Sequence, residues 1–148
     1  MRGGCGAPPP CNQRLALRAD GGAVWAAPSA EVPATQRFLL GGDASVRGYA
    51  PRSIGVANSQ GGVNPGRYQA VGSAEWQRPL GWGTGSQWEH TWFVDVGAVA
   101  DKPADLRPQW GVGTGLRFNS PVGPLQVDLA YGLDSKRLRV HLNVGFSF

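Results

Sequence analysis

The sequence sets one charged side chain in a frame built for confinement. In Arg37-Phe38-Leu39-Leu40-Gly41-Gly42-Asp43-Ala44-Ser45-Val46-Arg47-Gly48-Tyr49, Arg47 sits among small residues of a glycine-rich loop. Glycines allow close backbone approach, and an arginine that enters a narrow polar space needs a carboxylate waiting there. The chemistry implied is ion pairing, with no bond made or broken; on the residues alone, Val46-Arg47-Gly48-Tyr49 also reads as a simple exposed turn. Other candidates are weaker. Gly81-Trp82-Gly83-Thr84-Gly85 and Gly111-Val112-Gly113-Thr114-Gly115 have the glycine density of phosphate loops, yet no Gly-Lys-Ser/Thr follows either and neither leads from strand to helix. Glycine inside a strand more often marks curvature or close packing. Glu75 and Glu89 suggest an acid/base pair by type alone, but carboxylates that wet an inner face are the ordinary explanation. Cys5 and Cys11 with the distant His90 and His141 make a poor metal set, and a disulfide between the two cysteines is weakly indicated. The expectation is a protein that is no enzyme and holds no cofactor and no metal.

Six segments must position these residues, and all six alternate with period two between runs of Gly, Pro, Asn, Asp and Ser. In 13–26, Leu15, Leu17, Ala19, Ala23 and Trp25 share one face, while Arg14, Arg18 and Asp20 share the other. In 68–77, Tyr68, Ala70, Ala74 and Trp76 oppose Gln69, Ser73, Glu75 and Gln77. In 88–99, Trp88, Trp92, Val94 and Val96 oppose Glu89, Thr91 and Asp95, with His90 the one polar residue on the apolar side. Val112, Leu116 and Phe118 oppose Arg117 in 110–118. Leu125, Val127, Leu129 and Tyr131, then Val140, Leu142, Val144, Phe146 and Phe148, oppose Gln126, Asp128, Arg139, His141 and Asn143 in 125–131 and 138–148.

Composition narrows what these segments build. With 23 glycines, 12 prolines and 41% hydrophobic residues spread thinly, a water-soluble core is hard to draw. No window approaches the roughly 18 consecutive apolar residues of a membrane-spanning helix, and the mean hydropathy is -0.24. A transmembrane β-barrel passes that test, because its strands need apolar residues only at alternate positions. Parity alone fits a soluble β-sandwich equally well. The aromatics separate the two: with antiparallel strands, Trp25, Tyr68, Trp110 and Tyr131 fall at one rim, and Trp76, Trp88, Phe118, Phe146 and Phe148 at the other. Amphipathic rings gather at the two headgroup zones, whereas a sandwich core has no reason to sort them by height. Link lengths alternate too, short or moderate at 79–87 and 120–124 but long at 27–67, as in barrels with long outer loops. The net charge of +4 and the six tryptophans raise nucleic acid as a partner. The basic residues are scattered, so no nucleic-acid partner is expected.

The motifs together resemble the C-terminal half of the outer-membrane barrel of the BamA/TamA (bacterial surface antigen) family. Val46-Arg47-Gly48-Tyr49 after Gly41-Gly42-Asp43 resembles that family's sixth extracellular loop, and Phe93-Val94-Asp95-Val96-Gly97 a following strand motif. Gly113-Thr114-Gly115-Leu116-Arg117-Phe118 with Ser120-Pro121-Val122-Gly123-Pro124-Leu125 resembles the next hairpin. The wording around Ser53-Ile54-Gly55 and 125–130 leans toward TamA-like proteins. The resemblance implies an all-β fold: the last six antiparallel strands of a transmembrane barrel over 13–148, with the long extracellular loop at 27–67 and an unstructured segment at 1–12. Earlier strands and periplasmic domains are expected to be missing, and 1–10 has no apolar signal region.

The resemblance also implies a mechanism. The loop turns into the lumen and Arg47, with Gly48 and Tyr49, locks onto Asp95; Glu89 and Asp128 are the next partners, and Arg117 faces the same lumen. A poorly paired seam between first and last strands would capture a client strand by β-augmentation. His141, Phe146 and Phe148 carry the terminal strand signal, weakened because Asn143 stands where a glycine is usual. The function implied is outer-membrane protein assembly or translocation, in the bacterial outer membrane. The implied partners are its lipid, β-rich clients such as autotransporters, and a periplasm-spanning inner-membrane partner. A passive pore or secretion channel, or an inactive fragment, remains the alternative.

Overall fold

The computed structural model describes residues 13–27, 29–42, 45–80 and 87–145. Expectations that fall on 1–12, Trp82, Phe146 and Phe148, including any Cys5–Cys11 disulfide, lie outside the described residues.

The six predicted segments all form strands. In chain order the elements are β1 (Arg14–Ala23), two short strands β2 (Val56–Ala57) and β3 (Val63–Asn64), then β4 (Tyr68–Leu80), β5 (Trp88–Ala100), β6 (Gln109–Ser120), β7 (Gly123–Gly132) and β8 (Arg137–Val144). One six-stranded sheet runs in the order β1-β4-β5-β6-β7-β8, with every pair antiparallel. Apart from the insertion that carries β2 and β3, neighbours in sequence are neighbours in the sheet. Among the described residues the sheet is open, with β1 and β8 at its edges.

The boundaries moved at several ends. β4 extends through Pro79 to Leu80, because Pro79 lies opposite Glu89 late in the strand, where one missing donor is tolerated. The hairpin expected over 120–124 is tighter, with Ser120 paired to Gly123 and Gly123 at φ 137°. β8 runs to Val144 among the described residues, and the expected end at Phe148 lies outside them.

Register keeps the two faces separate. Leu15 lies opposite Trp76, Trp76 opposite Trp92, and Trp92 opposite Thr114, whereas Ser73 lies opposite Asp95 and Asp128 opposite His141. The apolar face is bare: Leu17 is 74% exposed, Val140 68% and Leu142 67%. The packed core lies on the other face. There Leu40, Val46, Tyr49 and Ile54 of the 24–67 insertion pack with Val71 of β4 and Val99 of β5, and Phe38 flanks them. A sandwich would bury Trp25, Leu129 and Val144 together; all three are exposed. Trp25 meets Tyr68 edge-on at 6.1 Å near one rim, and Trp88 meets Phe118 at 4.7 Å near the other.

Candidate functional site: an arginine lock on the inner wall

The insertion between β1 and β4 folds back because its backbone pairs with itself. Phe38 bridges Gly66 and Leu40 bridges Ile54, each with both backbone hydrogen bonds at 2.8–2.9 Å. These bridges draw the intervening turn onto the inner face of β5, β6 and β7. Gly48 sits at φ +95°, and a Cβ there would meet the backbone nitrogen of Gly132 at 2.7 Å, so both space and conformation select glycine.

At the tip, Arg47 is 9% exposed. Its Nε donates to Asp95 Oδ2 at 2.8 Å and its Nη2 to Asp95 Oδ1 at 3.0 Å, a two-pronged guanidinium–carboxylate pair. Its backbone N–H also donates to Asp95 Oδ2 at 3.1 Å. Nη1 reaches Glu75 Oε2 at 2.8 Å and Asp128 Oδ2 at 3.3 Å. The Phe93 ring lies 3.5 Å from the guanidinium carbon, a cation–π contact inside a desolvated site. Burial works against the charge, yet Asp95 and Glu75 outweigh it and hold the Arg47 pKa above the ordinary arginine value. Arg47 is a permanent cation.

The carboxylates are themselves held. Ser73 donates to Asp95 Oδ1 at 2.6 Å, Gln77 to Glu75 Oε1 at 2.6 Å and Gln126 to Asp128 Oδ2 at 2.7 Å. Arg117 donates to Gln126 at 2.8 Å and stands 3.7 Å from Glu75 and 4.0 Å from Glu89. A second cation therefore shares the excess negative charge. Beside the cluster an open polar cavity of about 280 Å³ is lined by Arg18, Arg117, Asp128, His141 and Asn143 among others.

Glycines of β6 make the floor. A Cβ on Gly111 would overlap the Arg47 carbonyl oxygen, one on Gly113 the Phe93 ring, and one on Gly115 the Asp128 carboxylate. The motif that resembles a phosphate loop is thus a packing track. Tyr49 fastens the far side: its hydroxyl lies 2.9 Å from Asp134 Oδ2 and 3.1 Å from the Trp110 carbonyl oxygen, and it accepts the Asp134 N–H at 3.2 Å. Burial, with the Asp134 carboxylate adding to it, pushes the Tyr49 phenol pKa up.

The structure brings together Arg47, Gly48, Tyr49, Asp95 and Asp128, with Arg117 one step away. Glu89 does not join. It lies six residues from Asp95 along β5, about 20 Å at the rise of a strand, and faces Arg117 instead. Glu75 takes the place expected for it. Its inward parity was visible, but its proximity to Arg47 depends on the β4–β5 register, in which Glu75 lies opposite Phe93. Ser73 and Gln126 were read as inward-facing and Phe93 as part of a strand motif, but none of them as a partner in the lock, and Asp134 was not singled out. His141 is inward as expected, and its Nε2 accepts the Gly48 N–H at a long 3.4 Å, so the last strand also touches the loop.

An antiparallel wall, apolar and bare outside and polar inside, with a loop pinned within it by a buried arginine, defines a segment of a transmembrane β-barrel. Residues 10–148 match the model of the Omp85 superfamily domain, and the chain belongs to that superfamily. Among its relatives, outer envelope protein 80, chloroplastic, from Arabidopsis thaliana is 32% identical over 74% of this chain and 15% of its own length. The protein of the same name from Oryza sativa subsp. japonica is 34% identical over 90% of this chain and 19% of its own. Outer envelope protein 39, chloroplastic, from Arabidopsis thaliana is 37% identical over 64% and 26%. The chain thus spans about a quarter or less of these relatives. The resemblance seen in sequence holds at the level of the superfamily, and these relatives belong to chloroplasts.

Proposed function

We propose that these strands form the wall of an outer-membrane protein that inserts or translocates β-rich client proteins. The observation that carries this reading is the lock. A passive wall needs no buried arginine shared among three carboxylates, whereas a machine that opens and recloses a seam needs one loop tied to several strands at once. Arg47 ties the loop to β4, β5 and β7, and Gly48 adds β8. The wall is thereby rigid where the loop grips it, and β8, which among the described residues pairs only with β7, is the strand whose far edge would offer backbone donors and acceptors to an incoming strand.

The named relatives support the outer envelope of chloroplasts as the membrane. The motif order around 46–49 and 93–97, with the wording at 53–55, supports the bacterial, TamA-like version, which adds a periplasm-spanning inner-membrane partner. Lipid and β-rich clients are partners in both. The polar cavity beside the lock favours a second reading, a passive pore or secretion channel.

Reconstitution of the intact protein in liposomes separates the readings. Accelerated folding of an added β-barrel client, lost on Arg47→Ala, supports the assembly reading. Small-solute conductance without any acceleration of client folding rejects it.

A further inference from the structure

The bare face of the sheet is apolar with one interruption. Among the described strand residues that face outward, Arg78 alone carries a permanent charge and His90 alone an imidazole, and the register sets them directly opposite one another on β4 and β5. Two neighbouring pairs bracket them. Trp76 and Trp92 stack at 4.9 Å on the side toward the middle of the wall, and Leu80 lies opposite Trp88 on the side of the rim. Arg78 is therefore two residues from the rim pair, about 7 Å along the strand, which is the depth where headgroups meet acyl chains.

A lone arginine on a lipid face ordinarily extends its guanidinium to water. Here the residue opposite it, His90, is itself held in place. His90 Nε2 lies 2.6 Å from Thr114 Oγ1, and that hydroxyl donates its single hydrogen to the Thr91 carbonyl oxygen at 3.0 Å. The short contact with Thr114 holds the orientation of the ring. The ring also packs edge-on to Trp92 at 4.0 Å. Among the described residues, no carboxylate lies within ion-pair distance of Arg78, and no outward-facing strand position is acidic. From His90 a shallow groove of about 360 Å³ runs along Thr114, Leu116, Val127, Leu129 and Val140. Thr114, Leu129 and Val140 lie one pair closer to mid-wall than His90 and Leu116, so the groove slopes from the headgroup level into the hydrocarbon.

We propose that Arg78 and His90 form a binding site for an anionic glycerolipid. The headgroup phosphate pairs with the guanidinium, and one acyl chain lies in the groove beside His90. The charge is complementary, the guanidinium fork matches phosphate oxygens, and the apolar groove begins where the glycerol would sit. The inference rests on the membrane-spanning reading of the wall.

The test reconstitutes the intact protein in bilayers of phosphatidylcholine containing phosphatidylglycerol, followed by detergent extraction and quantification of retained lipid. Wild type should enrich phosphatidylglycerol about fivefold over its bilayer fraction, the effect of one cation near the surface. Arg78→Gln should fall to parity, Arg78→Lys should keep part of the enrichment, and Arg52→Gln in the loop should match wild type. Insertion without enrichment, or enrichment unchanged in Arg78→Gln, overturns the site while the membrane reading stands. Failure to enter this bilayer overturns both.

Discussion

Arg47 and Asp95 meet through three hydrogen bonds, two from the guanidinium and one from the backbone of Arg47 itself. The backbone bond matters because it fixes the turn and not only its side chain. Lysine could supply charge to the site but neither the fork to Asp95 nor the reach of Nη1 to Glu75 and Asp128.

Arg47→Ala should therefore release the loop. It strands three carboxylates in a buried site, a loss of about 3–5 kcal/mol for a broken buried pair. Limited proteolysis of the intact, membrane-inserted protein reads this directly, with rapid cleavage between residues 27 and 67 expected for Arg47→Ala. Arg52→Ala, five residues on and exposed, should cut like wild type. Equal cleavage of the two variants would contradict the lock.

The glycine track makes an independent case for the same contact. Gly111→Ala puts a methyl group onto the Arg47 carbonyl oxygen, a backbone atom with no rotamer to escape by. Overpacking of this kind costs about 1–3 kcal/mol. The loop should lift, giving the proteolytic pattern of Arg47→Ala with the arginine intact. Gly21→Ala is the control, since its nearest neighbour would be the Gln69 carbonyl oxygen at an ordinary 3.9 Å.

Tyr49→Phe tests the rim fastening. The hydroxyl lies between the Asp134 carboxylate and the Trp110 carbonyl and accepts the Asp134 N–H. Its loss should cost about 1 kcal/mol, so hydrogen exchange at the Asp134 amide should quicken about fivefold. Unchanged exchange would mean that the turn between β7 and β8 holds without the loop.

Parity made the six long strands and both faces readable, because a period of two survives any error in register. The same rule put Asp95 and Asp128 on the inner face, but it was the family resemblance that singled out Asp95 for Arg47. What parity cannot give is height, and height decided the rest. Glu75 and Glu89 have the same inward orientation, but only the register shows that Glu75 stands level with Phe93 while Glu89 lies two pairs further down. Phe93 broke the expectation of a polar inner face because its ring serves the guanidinium. The loop's own core was invisible for a different reason: Leu40, Val46 and Ile54 follow no period and come together against Val71 and Val99 once the Phe38–Gly66 and Leu40–Ile54 bridges fold the insertion back.

The lipid-facing assignment has its own test, and depth is what makes it decisive. Val94 lies mid-strand between Ala74 and Val112, is 42% exposed and points away from the lock. On a bilayer-facing wall, Val94→Arg should cost about 2–4 kcal/mol, while Leu80→Arg at the rim, also on the bare face, should cost about 0–1 kcal/mol. The folded fraction recovered in lipid, read from heat-modifiable electrophoretic mobility, should drop sharply for the first and barely for the second. A water-facing sheet would tolerate both, since an exposed arginine at either height stays hydrated. Equal tolerance would remove the bilayer from this face, and the edge of β8 would then have no membrane in which to receive a client strand.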